Sequence, residues 1–185
     1  MSIDETLEEE LRVFRNVSGL SNIDQDKLKA SSSVILPHIA SVTDEFYEQL
    51  AAEPRTAKYI EGRVDFLKST HIQWLEALFS GDCDDAFIES QLRIGRTHVS
   101  AKIPPLFVAS SMSYLRAAFP KLISQELNEN DNGAGELASA ILKMLDMCQY
   151  LIDHAYEQDR LKRLTDATGL SRPLLENLIA LKEKG

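Results

Sequence analysis

Apolar residues recur every three or four positions through almost the whole chain, and nowhere do β-branched residues alternate with polar ones. A chain patterned this way can bury its stripes only by packing helix against helix, so the expected fold class is all-α. With 185 residues it can bury one sizeable core, as a single domain or as a domain with an appendage. The apolar runs are far too short to cross a bilayer and no charged-then-apolar leader opens the chain, which predicts a cytoplasmic protein with no membrane partner. Two cysteines, Cys83 and Cys148, show no CxxC spacing, which suits a reducing compartment and neither a disulfide framework nor a zinc site.

Punctuation divides the pattern into helices. Asp4 to Val17 reads as a short acidic helix with Leu7, Leu11 and Phe14 on one side. Ser21 or Asp24 can cap a second helix, Pro37 marks a junction, and a third runs to about Ala52 with Ile39, Val42, Phe46 and Leu50 in a stripe and Tyr47 at its edge. A turn is expected around Arg55–Glu61. Then Val64, Leu67, His71, Trp74, Leu75 and Leu78 line one face of a strongly periodic helix stopped at Ser80-Gly81-Asp82. Asp82 or Asp84 caps the next helix, and Pro104-Pro105 opens another. Asn128 to Gly135 reads as a loop, and a long helix from Glu136 is expected to pass Arg160 and stop at Gly169. Ser171 caps a last helix with Pro173 in its first turn. The boundaries expected are residues 1–160 for the main domain and 161–185 for a helical linker or the start of an output module.

The stretch Gln91 to Pro105 carries the most chemical information. Phe87, Gln91, Ile94, Gly95 and His98 share one helix face. A glycine inside a helix costs about 1 kcal/mol relative to alanine, a cost tolerated where something flat or bulky must approach the backbone. From this stretch alone His98 is either a core histidine satisfied by a hydrogen bond or the axial ligand of a haem iron. Haem needs an imidazole, an apolar wall and one or two polar groups opposite. Tyr47, Leu67 and Thr70 can supply the opposite side, although Tyr47 could equally be an interfacial aromatic and Thr70 could simply bond back to a carbonyl one turn earlier. His71 has three readings: a second axial ligand, a partner for a haem propionate, or a core histidine.

Hydrolytic and phosphate chemistry find little support. There is no GxSxG elbow, P-loop, dinucleotide fingerprint or HExxH among the four histidines, and the acidic residues sit on polar helix faces. An excess of 29 acidic over 20 basic residues argues against general nucleic-acid binding. The balance is uneven: residues 160–185 carry a net +3, leaving −12 for the remainder.

Taken in order, Phe46-Tyr47, Pro54, Leu67-Lys68-Ser69-Thr70, Trp74, Ile94-Gly95-Arg96-Thr97-His98 and Ile103-Pro104 resemble the globin domain of bacterial globin-coupled sensors and their single-domain relatives, the protoglobins. The resemblance covers about residues 36–119, with the helical plan continuing to about 160. It implies a globin fold with an extra N-terminal helix and, here, a C-terminal helical extension. It further implies haem b held by His98 as proximal ligand, a distal Tyr47 that bonds oxygen, and Leu67 and Thr70 lining the distal pocket. The pocket wall would come from Phe46, Val64, His71, Trp74, Ile94, Gly95, Val99, Ile103, Val108 and Met112. Arg96-Thr97 departs from the smaller or acidic residues often found before the family's histidine, which bears on ring orientation.

The function this implies is a sensor, not an enzyme, for a diatomic gas: O2, and also CO or NO. It would work as a homodimer through the last two globin helices toward an output domain or partner protein. Two alternatives stand beside it: a stand-alone globin that binds O2 or NO or detoxifies NO, and a haem-free globin-fold interaction module for a ligand such as a fatty acid. In the tail, Asp166-Ala167-Thr168-Gly169-Leu170-Ser171-Arg172 resembles the opening of a diguanylate cyclase domain one residue short, and Leu164 to Ser171 with Leu178 and Leu181 resembles part of a winged helix-turn-helix. The other reading of the tail is a linker or cap on the dimer bundle.

Overall fold

The computed structural model describes residues 5–127 and 132–181, and all regular structure within them is helical. The elements are α1 (Glu5–Ser18), α2 (Asn22–Ile35), a 3-10 turn (Leu36–His38), α3 (Ile39–Ala52), α4 (Pro54–Ile60), α5 (Val64–Leu78), α6 (Asp85–Ser100), α7 (Pro105–Glu126), α8 (Asn132–Thr168) and α9 (Arg172–Leu181).

The caps are local and readable. At α2 the backbone N–H and hydroxyl of Ser21 both donate to Asp24 Oδ2, at 2.8 and 2.9 Å, so the two candidate capping residues act together. Asp84 caps α6, accepting from the Phe87 N–H at 2.9 Å. Pro37 sits in the 3-10 turn, Pro105 opens α7, and α9 begins right after Ser171. Two expectations need correction. Residues 55–60 are not a turn: Glu53 accepts from the Arg55 N–H at 2.9 Å, Pro54 starts the helix, and Arg55 to Ile60 complete α4, the turn beginning only at Glu61. The loop expected over Asn128–Gly135 is shorter, because α8 already begins at Asn132; residues 128–131 lie outside the described residues.

Packing gives the helices two groups. The most extensive contact is α6 against α8, then α7 against α8, with α2 also on α8; α3 packs on α5 and α4. The larger core holds Leu28, Ile35, Leu75, Phe119, Ile141, Met144, Leu145 and Leu151, all essentially inaccessible. Phe46, Tyr47 and Ile60 form a separate small cluster, flanked by Leu50, Val64, Leu67 and Tyr114. Helix α1 lies on this body through buried Leu7 and Leu11, with Tyr150 and His154 of α8 meeting the Glu10 carboxylate and Arg15 donating to the Cys83 carbonyl at 3.2 Å. Lys143 of α8 pairs with buried Asp24 at 3.1 Å, fixing α2.

Helix α8 runs without a break through residue 160, the expected domain boundary. Leu161 and Leu175 are buried where α9 folds back on it. No described helix is long and apolar enough to cross a membrane.

Candidate functional site

Between the two clusters lies a cavity of about 450 Å³, within the roughly 300–1,000 Å³ of pockets that enclose a cofactor-sized molecule. Its walls come from α3, α4, α5, α6 and α7, with Ile152 of α8 at the back. Helices α3 and α5 join the main core through Ile39, Val42, Leu75 and Leu78, while Phe46, Tyr47 and Ile60 gather apart from it, and the opening lies between.

His98 sits in the last turn of α6 and lines this cavity. Its Nδ1 lies 2.8 Å from the Ile94 carbonyl. A carbonyl can only accept, so Nδ1 carries the proton and Nε2 of the neutral ring keeps its lone pair. Burial lowers the His98 pKa, with the Ile94 bond opposing it, which favours that neutral form. The turn that follows is anchored: Lys102 adopts φ +56°, its carbonyl accepts from Tyr59 at 3.1 Å, and the Ile103 carbonyl accepts from Tyr156 at 2.7 Å.

Opposite, on α3, Tyr47 is buried and lines the cavity. Its hydroxyl has no hydrogen-bond partner among the described residues; burial pushes the phenol up to about 12, with the Arg63 guanidinium pulling the other way. It therefore stays protonated and able to donate. Leu67 and Thr70 also line the cavity, although the Thr70 hydroxyl donates to the Leu67 carbonyl at 2.9 Å.

His71 is held by the protein itself. Its Nδ1 lies 3.0 Å from Oγ1 of fully buried Thr43, and its ring stacks on Phe46 with centroids 4.9 Å apart. Burial lowers its pKa to about 4. Trp74 packs beside it, and the Trp74 indole donates to Gln91 Oε1 at 2.8 Å. Thr43 is a positioning residue absent from the sequence expectations, and Gln91 is one placed on the α6 stripe but given no role there. The available signal was a polar side chain on an otherwise apolar helix face, and both are wholly buried.

Of the residues expected in the wall, Phe46, His71, Trp74, Ile94, Ile103, Val108 and Met112 line the cavity, and three do not. Val64 packs beside the Phe46–Tyr47–Ile60 cluster instead. Val99 lies about 100° round the helix from His98 and is only half-buried. Gly95 faces α8: a Cβ there would stand 2.6 Å from Ala155 Cβ and 2.9 Å from the Ile152 carbonyl oxygen. The bulky object that requires a glycine is thus a neighbouring helix. Additional lining residues include Tyr59, Arg63, Phe66, Arg93 and Phe107.

These features suit a flat, largely apolar cofactor with a metal at its centre. The slot is apolar, the lone pair of His98 is free, and an unpartnered phenol lines the same cavity. A single neutral imidazole in an apolar slot is the donor that a haem iron commonly takes.

The fold is an all-α globin fold, with α1 added ahead of it and α9 behind. It overlays the globin domain of a Geobacter sulfurreducens globin-coupled sensor with a TM-score of 0.73 and 22% identity, over 78% of this chain and 96% of that one. The globin domain of E. coli DosC, in its ferric form, matches with a TM-score of 0.65 and 16% identity, over 76% and 97% of the two chains. The protoglobin family model spans residues 7–162, and the chain belongs to that family.

Proposed function

We propose that this protein is a haem-based gas sensor with dioxygen as its ligand, in which His98 is the proximal residue and Tyr47 the distal donor. The supporting observation is the pairing of a neutral imidazole, oriented by the Ile94 carbonyl, with an unpartnered buried phenol on the other side of one apolar cavity. Family membership supports haem as the cofactor, and the Geobacter domain that shares the fold belongs to a globin-coupled sensor.

Haem b held there would supply an iron that binds O2, CO or NO reversibly. The chain's own residues would do the rest. The His98 Nδ1–H keeps donating to the Ile94 carbonyl, which fixes the ring and makes Nε2 a better ligand. Tyr47 gives a hydrogen bond to the polarised end of a diatomic guest, favouring O2 over the less polar CO. Leu67, Val108 and Met112 keep bulk water out, and Thr70 stands at the exposed end of the slot.

Movement of the His98 imidazole displaces α6, and α6 rests on α8 at Gly95 with no slack. Helices α7 and α8 are the faces we assign to a homodimer, whose two packings would differ in gas affinity; only that difference can carry a signal. Residues 161–185 would pass it to an output module or partner protein, and any catalysis would reside there, with the globin domain of residues 1–160 non-catalytic. We place the protein in the cytoplasm.

His98→Ala tests the assignment. The full chain carrying it should purify without the intense haem absorption band or hold haem weakly, and an unchanged visible spectrum would reject the ligand. In the wild type, the ferrous spectrum should shift reversibly with O2, whereas rapid NO consumption would favour a detoxifying globin.

A further inference from the structure

The chain is acidic overall, with a net charge of −9, yet among the described residues no Asp or Glu lines the cavity. The charged groups in the lining are two arginines, Arg63 and Arg93, both exposed at their outer parts and so at the rim. Arg63 occupies the N-cap of α5, and its Nε and Nη2 donate to the Tyr59 carbonyl at 3.1 and 2.8 Å, which holds the guanidinium while leaving further N–H groups unengaged. Arg93, on α6, makes no polar side-chain contact among the described residues, although Arg96 one turn later is paired with Glu89. Two guanidinium groups beside one apolar slot match a ligand that is greasy in its body and anionic at one edge.

We infer that Arg63 and Arg93 form a carboxylate-binding rim that selects such a ligand and sets which of its edges faces solvent. The inference rests on the haem reading in taking that ligand to be a porphyrin with two propionates. The same chemistry would serve the single carboxylate of a fatty acid. On this reading the arginines address the anionic edge while His98 and Tyr47 address the centre, and all four line one cavity.

The test uses iron-free ligands, so that His98 ligation plays no part. The chain has a single tryptophan, Trp74, and it lines the cavity, so its fluorescence reports occupancy directly. Full-length protein is titrated with protoporphyrin IX, with its dimethyl ester and with palmitate, in wild type, Arg63→Gln, Arg93→Gln and the double variant, with circular dichroism to verify folding. The free diacid should bind roughly 10-fold or more tighter than the diester, each single variant should weaken the diacid by about 10-fold, and the double variant should abolish the preference. Arg93→Lys should recover part of it, because charge is kept while the bidentate fork is lost. Porphyrin binding that ignores both arginines overturns the rim and leaves the haem reading standing. Arginine-dependent binding of palmitate with none of porphyrin keeps the rim and overturns the haem reading. Binding of none of the three overturns both.

Discussion

Tyr47, His71 and His98 are three titratable residues in one cavity, and their surroundings assign them different work. Tyr47 is a buried phenol with no partner among the described residues, raised to about 12, so at neutral pH it keeps a proton to donate. Tyr47→Phe keeps the ring and removes that donor. Oxygen dissociation should become about 10- to 100-fold faster by stopped-flow, matching the loss of one polarised hydrogen bond; an unchanged off-rate would remove Tyr47 from the sensing step. His71 bears on stability. Its pKa falls from 6.5 to about 4 on folding, so between those values the unfolded chain takes up a proton that the folded chain refuses. Stability is therefore full above about pH 6.5, declines by up to about 3 kcal/mol toward pH 4, and levels off below, where both forms are charged. Burial of His98 acts in the same direction. Urea midpoints measured at about pH 7 and about pH 4.5 should lie closer together in His71→Gln than in the wild type.

Helix α6 is identifiable from its stripe of Phe87, Gln91, Ile94, Gly95 and His98, but one stripe has to serve two neighbours. Ile94 and His98 turn to the cavity, while Gly95, one position on, turns to α8. The glycine signals a close approach, and periodicity alone cannot say by what. In Gly95→Ala the new methyl would meet the Ile152 carbonyl and Ala155 Cβ, and a backbone oxygen cannot step aside as a side chain can. Overpacking of this kind costs about 1–3 kcal/mol, against a gain of about 1 kcal/mol in helix propensity. The variant should lose stability in chemical denaturation, and adding Ala155→Gly should restore only part of it, because the Ile152 contact remains. A neutral Gly95→Ala would show that α6 and α8 can part freely, and the proposed route from His98 to α8 would fail with it. The α4 helix shows a different limit of the pattern: seven residues are too few to display a period, and only the Glu53 cap with Pro54 marks them.

At the scale of the molecule, the cavity exists because two packed groups share a chain without merging. Residues from α1–α3 and α5–α8 fill the main core, and the Phe46–Tyr47–Ile60 cluster closes the other side, leaving the space between them bounded by both and filled by neither. Helix α8 is the common support: it carries α2, α6, α7 and the tail. A homodimer built on α7 and α8 would join two copies through the element that already bears on α6. Sedimentation equilibrium should give twice the chain mass of 20.7 kDa, with oxygen shifting the association constant. A monomer at all concentrations would leave the gas reading intact and remove this route of transmission.

The set His98, Tyr47, Leu67 and Thr70 is joined into one pocket by the resemblance to globin-coupled sensors, whereas the all-α class, most helix boundaries and the caps at Ser21 and Asp84 are legible in the chain without its fold. Each depends on spacing along one helix or on the chemistry of its first turn, which is information local in sequence. The partners are not legible there. That Thr43 meets His71, that Gln91 accepts from the Trp74 indole and that Gly95 yields to Ile152 are contacts between helices, and that Arg63 and Arg93 line one cavity also depends on how helices dock. Helical periodicity states which face is buried, and only the docking of helix on helix decides what that face is buried against.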